Sequence, residues 1–501
     1  MTSVRLGQEV LGESGKERLE ALRSAPVTVL QIGEGNFLRG FVDLMLYESR
    51  KKGIYNGSVA VVQPRPGGKP KIEALAEQDG LYTVVVRGLE AGKPVERKEV
   101  VEIFGRAFDP YSNWETFLDI AKGPELRVVV SNTTEAGITY RPEALVDGQP
   151  AVSYPGKLTQ LLYARYLAFD GDKTRGLYIF PCELLERNGD ALKECVLHYC
   201  KDWDLPEAFI QWVLEHNRFL NSLVDRIVTG YPDEAQAEAW FKEWGYRDPM
   251  LTTAEPYHLW VIEGEPELEN VLPLVRSGLN VHWVEELKPY QQRKVRILNG
   301  AHTLMALVGL VHGLKEVRET MEHPEWGALV RRTIGEEIIP SLPYDRQELE
   351  SYAEEVTGRF LNPFIRHRLS DIAMNSLSKF KTRLLPSIAF YIENDLPDGL
   401  LHGLAGLLRY YKIASGEDGY EGHDLNGERY IVKDDAALLE TIAEVWATAE
   451  GQHQPLQETL RKLLALEQLW GVDLNASAPG LAEAAANLIA QWEETGHEQR
   501  S

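Results

Sequence analysis

Cysteine is scarce in this chain of 501 residues: Cys182, Cys195 and Cys200 are the full complement, with no C-x-x-C pair. That excludes a disulfide framework and a zinc ribbon, and leaves reduced thiols as the expectation. No stretch approaches the ~20 consecutive apolar residues that cross a bilayer. The start, Met1-Thr2-Ser3-Val4-Arg5, runs into Gly7, Gln8 and Glu9 without the apolar core or cleavage site of a secretory signal, so a cytoplasmic protein is expected. Basic residues are outnumbered 53 to 76, and the formal charge of −23 spreads a negative field that repels phosphate backbones and anionic lipid. Neither nucleic acid nor a membrane is expected as a partner. The 12 histidines include no H-E-x-x-H, and His198 faces away from Cys195 and Cys200 at helical spacing, so no metal is expected. A G-x-S-x-G elbow is also missing, which leaves a serine hydrolase unsupported.

What is present is a globular composition, 44% hydrophobic, with length enough for two to four domains. β-Branched runs mark the first half: Val27 to Ile32, Val59 to Gln63, Tyr82 to Val86, Val100 to Phe104, Arg127 to Ser131 and Leu177 to Phe180. Helical apolar spacing separates several of them, as in Phe41 to Tyr47 and Leu158 to Tyr166, so the α/β alternation predicts a largely parallel sheet covered by helices. The portion from Tyr82 to Phe104, with turn residues Gly88, Gly92 and Pro94, reads as an antiparallel elaboration. From about residue 281 the texture turns helical, in Lys294 to Leu314, Glu348 to Arg359, Phe364 to Asn375 and Ala436 to Leu466. A turn-rich stretch from Gly416 to Asp435 predicts a hairpin or surface loop there. The expected division is therefore 1–280 and 281–501.

Directly after the first strand stands Gly33-Glu34-Gly35-Asn36-Phe37-Leu38-Arg39-Gly40, followed by an amphipathic helical pattern. Glycines at such a point let the chain turn out of a strand and bring backbone N–H groups to a pyrophosphate at a helix N-terminus. Position 38, where the third glycine of G-x-G-x-x-G would fall, holds Leu38, and a strand-to-helix turn without a ligand is the plainer alternative. The second strand ends in Gln63-Pro64-Arg65 rather than in the usual acid that binds ribose hydroxyls. Gln63 can still bond a ribose, and Arg65 either pairs with a 2′-phosphate or is merely solvated. These residues leave NAD against NADP undecided.

Lys294-Val295-Arg296-Ile297-Leu298-Asn299-Gly300-Ala301-His302 is the most informative stretch. At ~100° per residue, Asn299 and His302 lie about 140° and 80° from Lys294, close enough to face one cleft. An exposed polar helix face is the alternative. In a cleft the set suits carbonyl and alcohol redox, with lysine as proton shuttle, asparagine donating to a developing alkoxide and histidine orienting a hydroxyl.

The Gly33 to Gly40 turn, Ser131-Asn132-Thr133-Thr134-Glu135-Ala136-Gly137, Cys182-Glu183 with Asn188-Gly189, and Lys294…Asn299…His302 occur in the order that resembles the polyol-specific long-chain dehydrogenases, the family of mannitol 2-dehydrogenase. The resemblance spans most of the chain. It implies a Rossmann-type N-terminal domain with an elaborated sheet, a mainly α-helical C-terminal domain carrying substrate and catalytic groups, an active site between them, NAD as cofactor and no metal. It further implies dinucleotide contacts from Ile32, Gly33, Gly35, Asn36, Phe37, Arg39, Gln63, Ser131, Thr133 and Glu135. Lys294 would be the general acid/base, with Asn299 and a second asparagine on the reacting oxygen. Some members have that asparagine two residues after the cysteine, where this chain has Leu184, so Asn188 is favoured, with a turn role as the alternative. Lys379 and Arg383 match the family's C-terminal basic segment and would bind a substrate carboxylate, unless they form a solvated helix face.

Leu38, in place of a histidine common in mannitol- and fructuronate-acting members, together with Thr253-Ala254-Glu255-Pro256-Tyr257, points to the branch that reduces keto-sugar acids. A small sugar-acid substrate is thus expected, with a polyol or fructuronate oxidoreductase as runner-up and a dinucleotide-sensing protein as the non-enzyme alternative. The oligomeric state is left open.

Overall fold

Alternation along the short apolar strands decides the architecture of the first half. In the computed structural model, which describes residues 4–391 and 396–498, six strands form one all-parallel sheet: β1 (Val27–Ile32), β2 (Ser58–Val62), β3 (Phe104–Phe108), β4 (Val128–Ser131), β5 (Tyr178–Pro181) and β6 (Arg218–Phe219). Val29, Val59, Val61, Val128, Val130 and Phe180 point into one core with Phe41, Met45 and Trp260. Their neighbours Leu30, Ile32, Ala60, Val62, Val129 and Ile179 point into a second core with Phe117, Leu161, Leu192 and Phe209. Period-2 alternation of apolar residues on both faces is what a parallel sheet buried between helices requires. The strand order is β3-β2-β1-β4-β5-β6. It reverses between β1 and β4, and ligands of such sheets bind beyond the carboxyl ends of the strands at that reversal.

The antiparallel elaboration is a hairpin, Tyr82–Glu90 with Lys93–Val101, extended by Thr252–Ala254 and Val228–Gly230. It stops at Val101, because Phe104 already opens β3 of the main sheet. These elements belong to a compact unit, Met1–Leu287; the second unit is Lys288–Ser501.

The second unit is mainly helical. One continuous helix runs from Lys288 to Val311 and packs along Asp398–Tyr410. Their close approach depends on Gly406, where a Cβ would come within 3.2 Å of the Leu307 carbonyl carbon. The helix expected over Phe364 to Asn375 is reduced to Leu369–Ile372. Backbone groups there are taken by another segment: Val317 N donates to His367 O and Leu369 N to Lys315 O, so they are lost to a helical ladder. The Ala436 to Leu466 stretch breaks into Ala436–Gly451 and Leu456–Leu464, with His453 in the left-handed region and Pro455 before the restart. The turn-rich segment forms a three-stranded antiparallel sheet, Ala414–Gly416, Gly419–His423 and Arg429–Val432. Among the described residues no helix is long and apolar enough to cross a membrane.

Candidate active site

In the first unit the site is built at the carboxyl ends of β1, β2 and β4. Gly33 leaves β1 with φ +119, and a Cβ there would lie 2.9 Å from Asn132 O, so only glycine fits the turn. Ile32 closes the strand within the core below it. From beneath, Gln31 Nε2 donates to Gly33 O and to Asp43 Oδ2, both at 3.0 Å. Gly35 and Asn36 are exposed at the start of the short helix Asn36–Arg39, and a Cβ at Gly35 would meet open space. Phe37 stacks on Phe41 with ring centres 4.9 Å apart.

Several side chains expected on the dinucleotide are instead occupied by the fold. Arg39 is buried; its Nε donates to Glu34 O (3.0 Å), Nη2 to Asn36 Oδ1 (2.6 Å) and Nη1 to Met250 O. It staples the turn from behind rather than reaching a ligand. Gln63 is fully buried, donating to Asp109 Oδ1 at 2.6 Å and accepting from Arg65 N at 2.8 Å, so its amide is turned into the fold rather than toward a ribose. Ser131 Oγ donates to Glu183 Oε2 (3.1 Å), while Thr133 N and Oγ1 donate to Glu183 Oε1 (2.9 and 3.0 Å). Burial raises the Glu183 carboxyl pKa against these bonds. Glu183 thus ties the exit of β4 to that of β5, a role the sequence motif quoted but did not assign. The backbone of Glu135 forms a 3-10 turn with Gly137, and the Glu135 side chain lies outside the described ones.

Asn188 differs most from expectation. Its Nδ2 donates to Pro181 O, Glu183 O and Ser222 O (3.0, 3.1 and 3.1 Å), and its Oδ1 accepts from Gly189 N and Ser222 N (3.0 and 2.9 Å). With every donor and lone pair engaged and 1% exposure, this amide supports the β5 exit and has nothing left for a reacting oxygen. What remains open above these supports is a cavity of about 560 Å³ across the ends of β2 and β4, bounded by Pro64, Pro66, Thr133, Thr134 and Tyr154 among others. A glycine turn after β1 beside a cavity at the strand-order reversal fits a dinucleotide.

In the second unit the informative helix is not α throughout. Lys294–Asn299 is a π turn between α-helical Lys288–Arg293 and Gly300–Val311. The separation of about 140° holds only for an α-helix. A π turn bonds i to i+5, so Asn299 comes round over Lys294 on one face. His302 follows three residues on, in the resumed α-helix. The Asn299 carboxamide makes no hydrogen bond among the described residues, whereas its backbone carbonyl accepts from Arg383 Nη1 at 3.5 Å. The same Nη1 donates to Thr303 Oγ1 at 3.1 Å.

Lys379 and Arg383 do share the helix Ser376–Arg383. Burial lowers the pKa of both, and for Lys379 the charge of Arg383 adds to the effect; its Nζ donates to Ile372 O at 2.8 Å. The His302 ring lies 4.6 Å from Phe360 and 4.7 Å from His367. Part of the residue reaches solvent, yet its ring is desolvated, and burial followed by the fields of His367, Arg359, Arg383 and Lys379 drives its pKa well below the ordinary histidine value. It is a neutral imidazole in a cationic surround. His367 and Arg359 are additions that no local motif announces, since they arrive from distant sequence. Among the described residues no group of three or more His, Cys, Asp and Glu side chains can hold a metal.

Residues 27–276 match the mannitol dehydrogenase Rossmann domain and 286–492 the mannitol dehydrogenase C-terminal domain. An altronate oxidoreductase from Bacillus subtilis is 43% identical over 94% of both chains. One from Escherichia coli is 45% identical over 92% of this chain and 93% of its own. Among solved structures, D-sorbitol dehydrogenase in substrate-free form superposes with a TM-score of 0.76 at 21% identity, covering 95% of each chain. The Pseudomonas fluorescens mannitol 2-dehydrogenase complex with NAD and D-mannitol gives 0.63, also at 21% identity, over 99% of this chain and 95% of that one. At such identity these two likenesses are of fold.

Proposed function

The chain belongs to the mannitol dehydrogenase family, and from that premise we propose that its first unit binds NAD while its second handles the proton and the charged end of the substrate. The reaction is the NAD-dependent interconversion of D-altronate and D-tagaturonate, an oxidation or reduction at a CH–OH group of a sugar acid, in line with the altronate oxidoreductases it matches over 94% and 92% of its length. Bound NADH supplies the hydride that reduces the substrate carbonyl.

The remaining work falls to residues of the second unit. Lys294 donates the proton to the carbonyl oxygen in reduction and takes it back in oxidation. Asn299, on the same face of the π turn, donates an amide N–H to that oxygen as charge develops on it. Neutral His302 orients a substrate hydroxyl. Lys379 and Arg383 hold the carboxylate, the guanidinium through paired, charge-assisted bonds. Asn188 acts at one remove, by fixing the β5 exit. The partner is therefore a small sugar-acid anion, and the three free, buried cysteines agree with a cytoplasmic setting.

One observation carries the choice of an acid substrate: Arg383 Nη1 donates to Asn299 O and Thr303 Oγ1, which stations a cation within a turn of the proposed oxyanion donor. The test is NADH consumption with tagaturonate and with fructose. The kcat/KM for tagaturonate should exceed that for fructose by about 100-fold or more, the scale of one or two charge-assisted bonds. Equal activity on the two would favour a polyol dehydrogenase instead.

A further inference from the structure

The end of β2 carries charge that NAD does not use. In a dinucleotide-binding sheet an acid at this place binds the ribose hydroxyls, and its charge repels a 2′-phosphate. Here the place belongs to Gln63, buried and turned onto Asp109 and Arg65 N. Two arginines instead line the cavity of about 560 Å³, Arg65 from the loop after β2 and Arg141 from the loop after β4. Both are exposed, and neither guanidinium makes a hydrogen bond or ion pair among the described residues.

The acids nearby are held by the fold. Glu143, on the same wall, has its two oxygens taken by Val152 N (2.6 Å) and Ser153 N (3.1 Å). Glu34 is buried, which raises its pKa, and it already feels Lys71, Arg39 and Arg65. Behind the wall Lys157 donates to Tyr111 Oη (2.7 Å), Ala151 O (3.0 Å) and Val152 O (2.8 Å), and burial lowers its pKa to about 7, so the two exposed arginines are the cations that face the cavity. The exposed guanidinium groups of Arg65 and Arg141 therefore line a space whose described lining carboxylate, that of Glu143, is held by two backbone N–H groups.

We propose that this cavity accepts a 2′-phosphate, so that the chain binds NADPH as well as NADH, with Arg65 and Arg141 as the phosphate ligands. A guanidinium suits that ligand because its fork meets two phosphate oxygens at once. The inference rests on the dinucleotide reading of the first unit and is independent of Lys294 chemistry.

The test is equilibrium titration of the full chain with NADH and NADPH, read by tryptophan fluorescence or calorimetry. NADPH should bind within about 10-fold of NADH. Arg65→Ala and Arg141→Ala should weaken NADPH by about 10-fold or more beyond any effect on NADH, and Arg65→Glu should widen that gap, as expected for loss and then reversal of a charge-assisted contact. NADPH affinity should also fall more steeply with salt. Tight NADH binding with no NADPH binding at millimolar concentration would overturn the proposal, as would variants that weaken both cofactors equally. Failure of the unmodified chain to bind either one would sink the dinucleotide reading, and this inference with it.

Discussion

Asn188 and Asn299 bear the same carboxamide in opposite circumstances. The first makes five hydrogen bonds within the fold, and the second offers its amide with none among the described residues. Asn299→Ala should therefore lower kcat by about 10²–10³-fold at unchanged thermal stability, the usual cost of removing an oxyanion donor. Asn188→Ala should instead lower the urea midpoint, because each buried partner left unpaired costs about 1–3 kcal/mol. A kcat loss at Asn188 without loss of stability would reverse the two roles. Lys294→Ala should reduce kcat by about 10²-fold or more while NADH still binds, and near-normal turnover would remove it from the proton transfer. The sequence shows which residue types lie near the site, but the state of each amide depends on remote partners. For Asn188 the decisive one is Ser222, 34 residues away. Arg39 and Gln63 depart from expectation for the same reason, since each side chain donates to a remote partner, Met250 O and Asp109 Oδ1.

At the scale of elements, the β1–turn–helix unit was legible because Val27 to Ile32 alternates cleanly and glycines follow at once. Its buried support was not. Gln31 and Asp43 meet beneath the Gly33 turn, where Asp43 Oδ1 and Gln31 Oε1 are buried with no hydrogen-bond partner among the described residues. Burial pushes the Asp43 carboxyl up to about 8, from 3.8 when unconstrained. The folded chain holds a proton that the unfolded chain sheds between those values. This group's stabilising contribution is therefore complete below the unfolded pKa and lost as pH rises through about 8. Asp43→Asn cannot titrate, so its melting temperature should gain on that of the unmodified chain from about pH 4 to about pH 8 and level off above it, and a constant difference across that range would show an Asp43 whose pKa is not raised. The π turn at Lys294–Asn299 escaped the sequence for another reason: periodicity arguments assume 3.6 residues per turn, and a locally wider turn leaves no mark in the apolar pattern.

For the whole molecule, the charge of −23 and the expected substrate are in conflict. A sugar-acid anion approaches a surface of its own sign, so selectivity for it has to come from positive charge concentrated locally. Composition made that requirement legible, and the spacing of Lys379 and Arg383 located part of the answer. The rest, Arg359 and His367 beside His302, needed the fold of the second unit to bring distant segments together. Arg383 is the most direct point to test, since it lies against Asn299 and Thr303. Arg383→Ala should lower kcat/KM for tagaturonate by about 10- to 100-fold, mainly through KM, and leave the small activity on fructose nearly as it was, because only the acid has a charge to lose contact with. The two substrates should thereby draw closer together. If both fell in parallel, Arg383 would be holding the Asn299 turn in place rather than gripping the carboxylate, and the selectivity would have to reside in Lys379, Arg359 or His367.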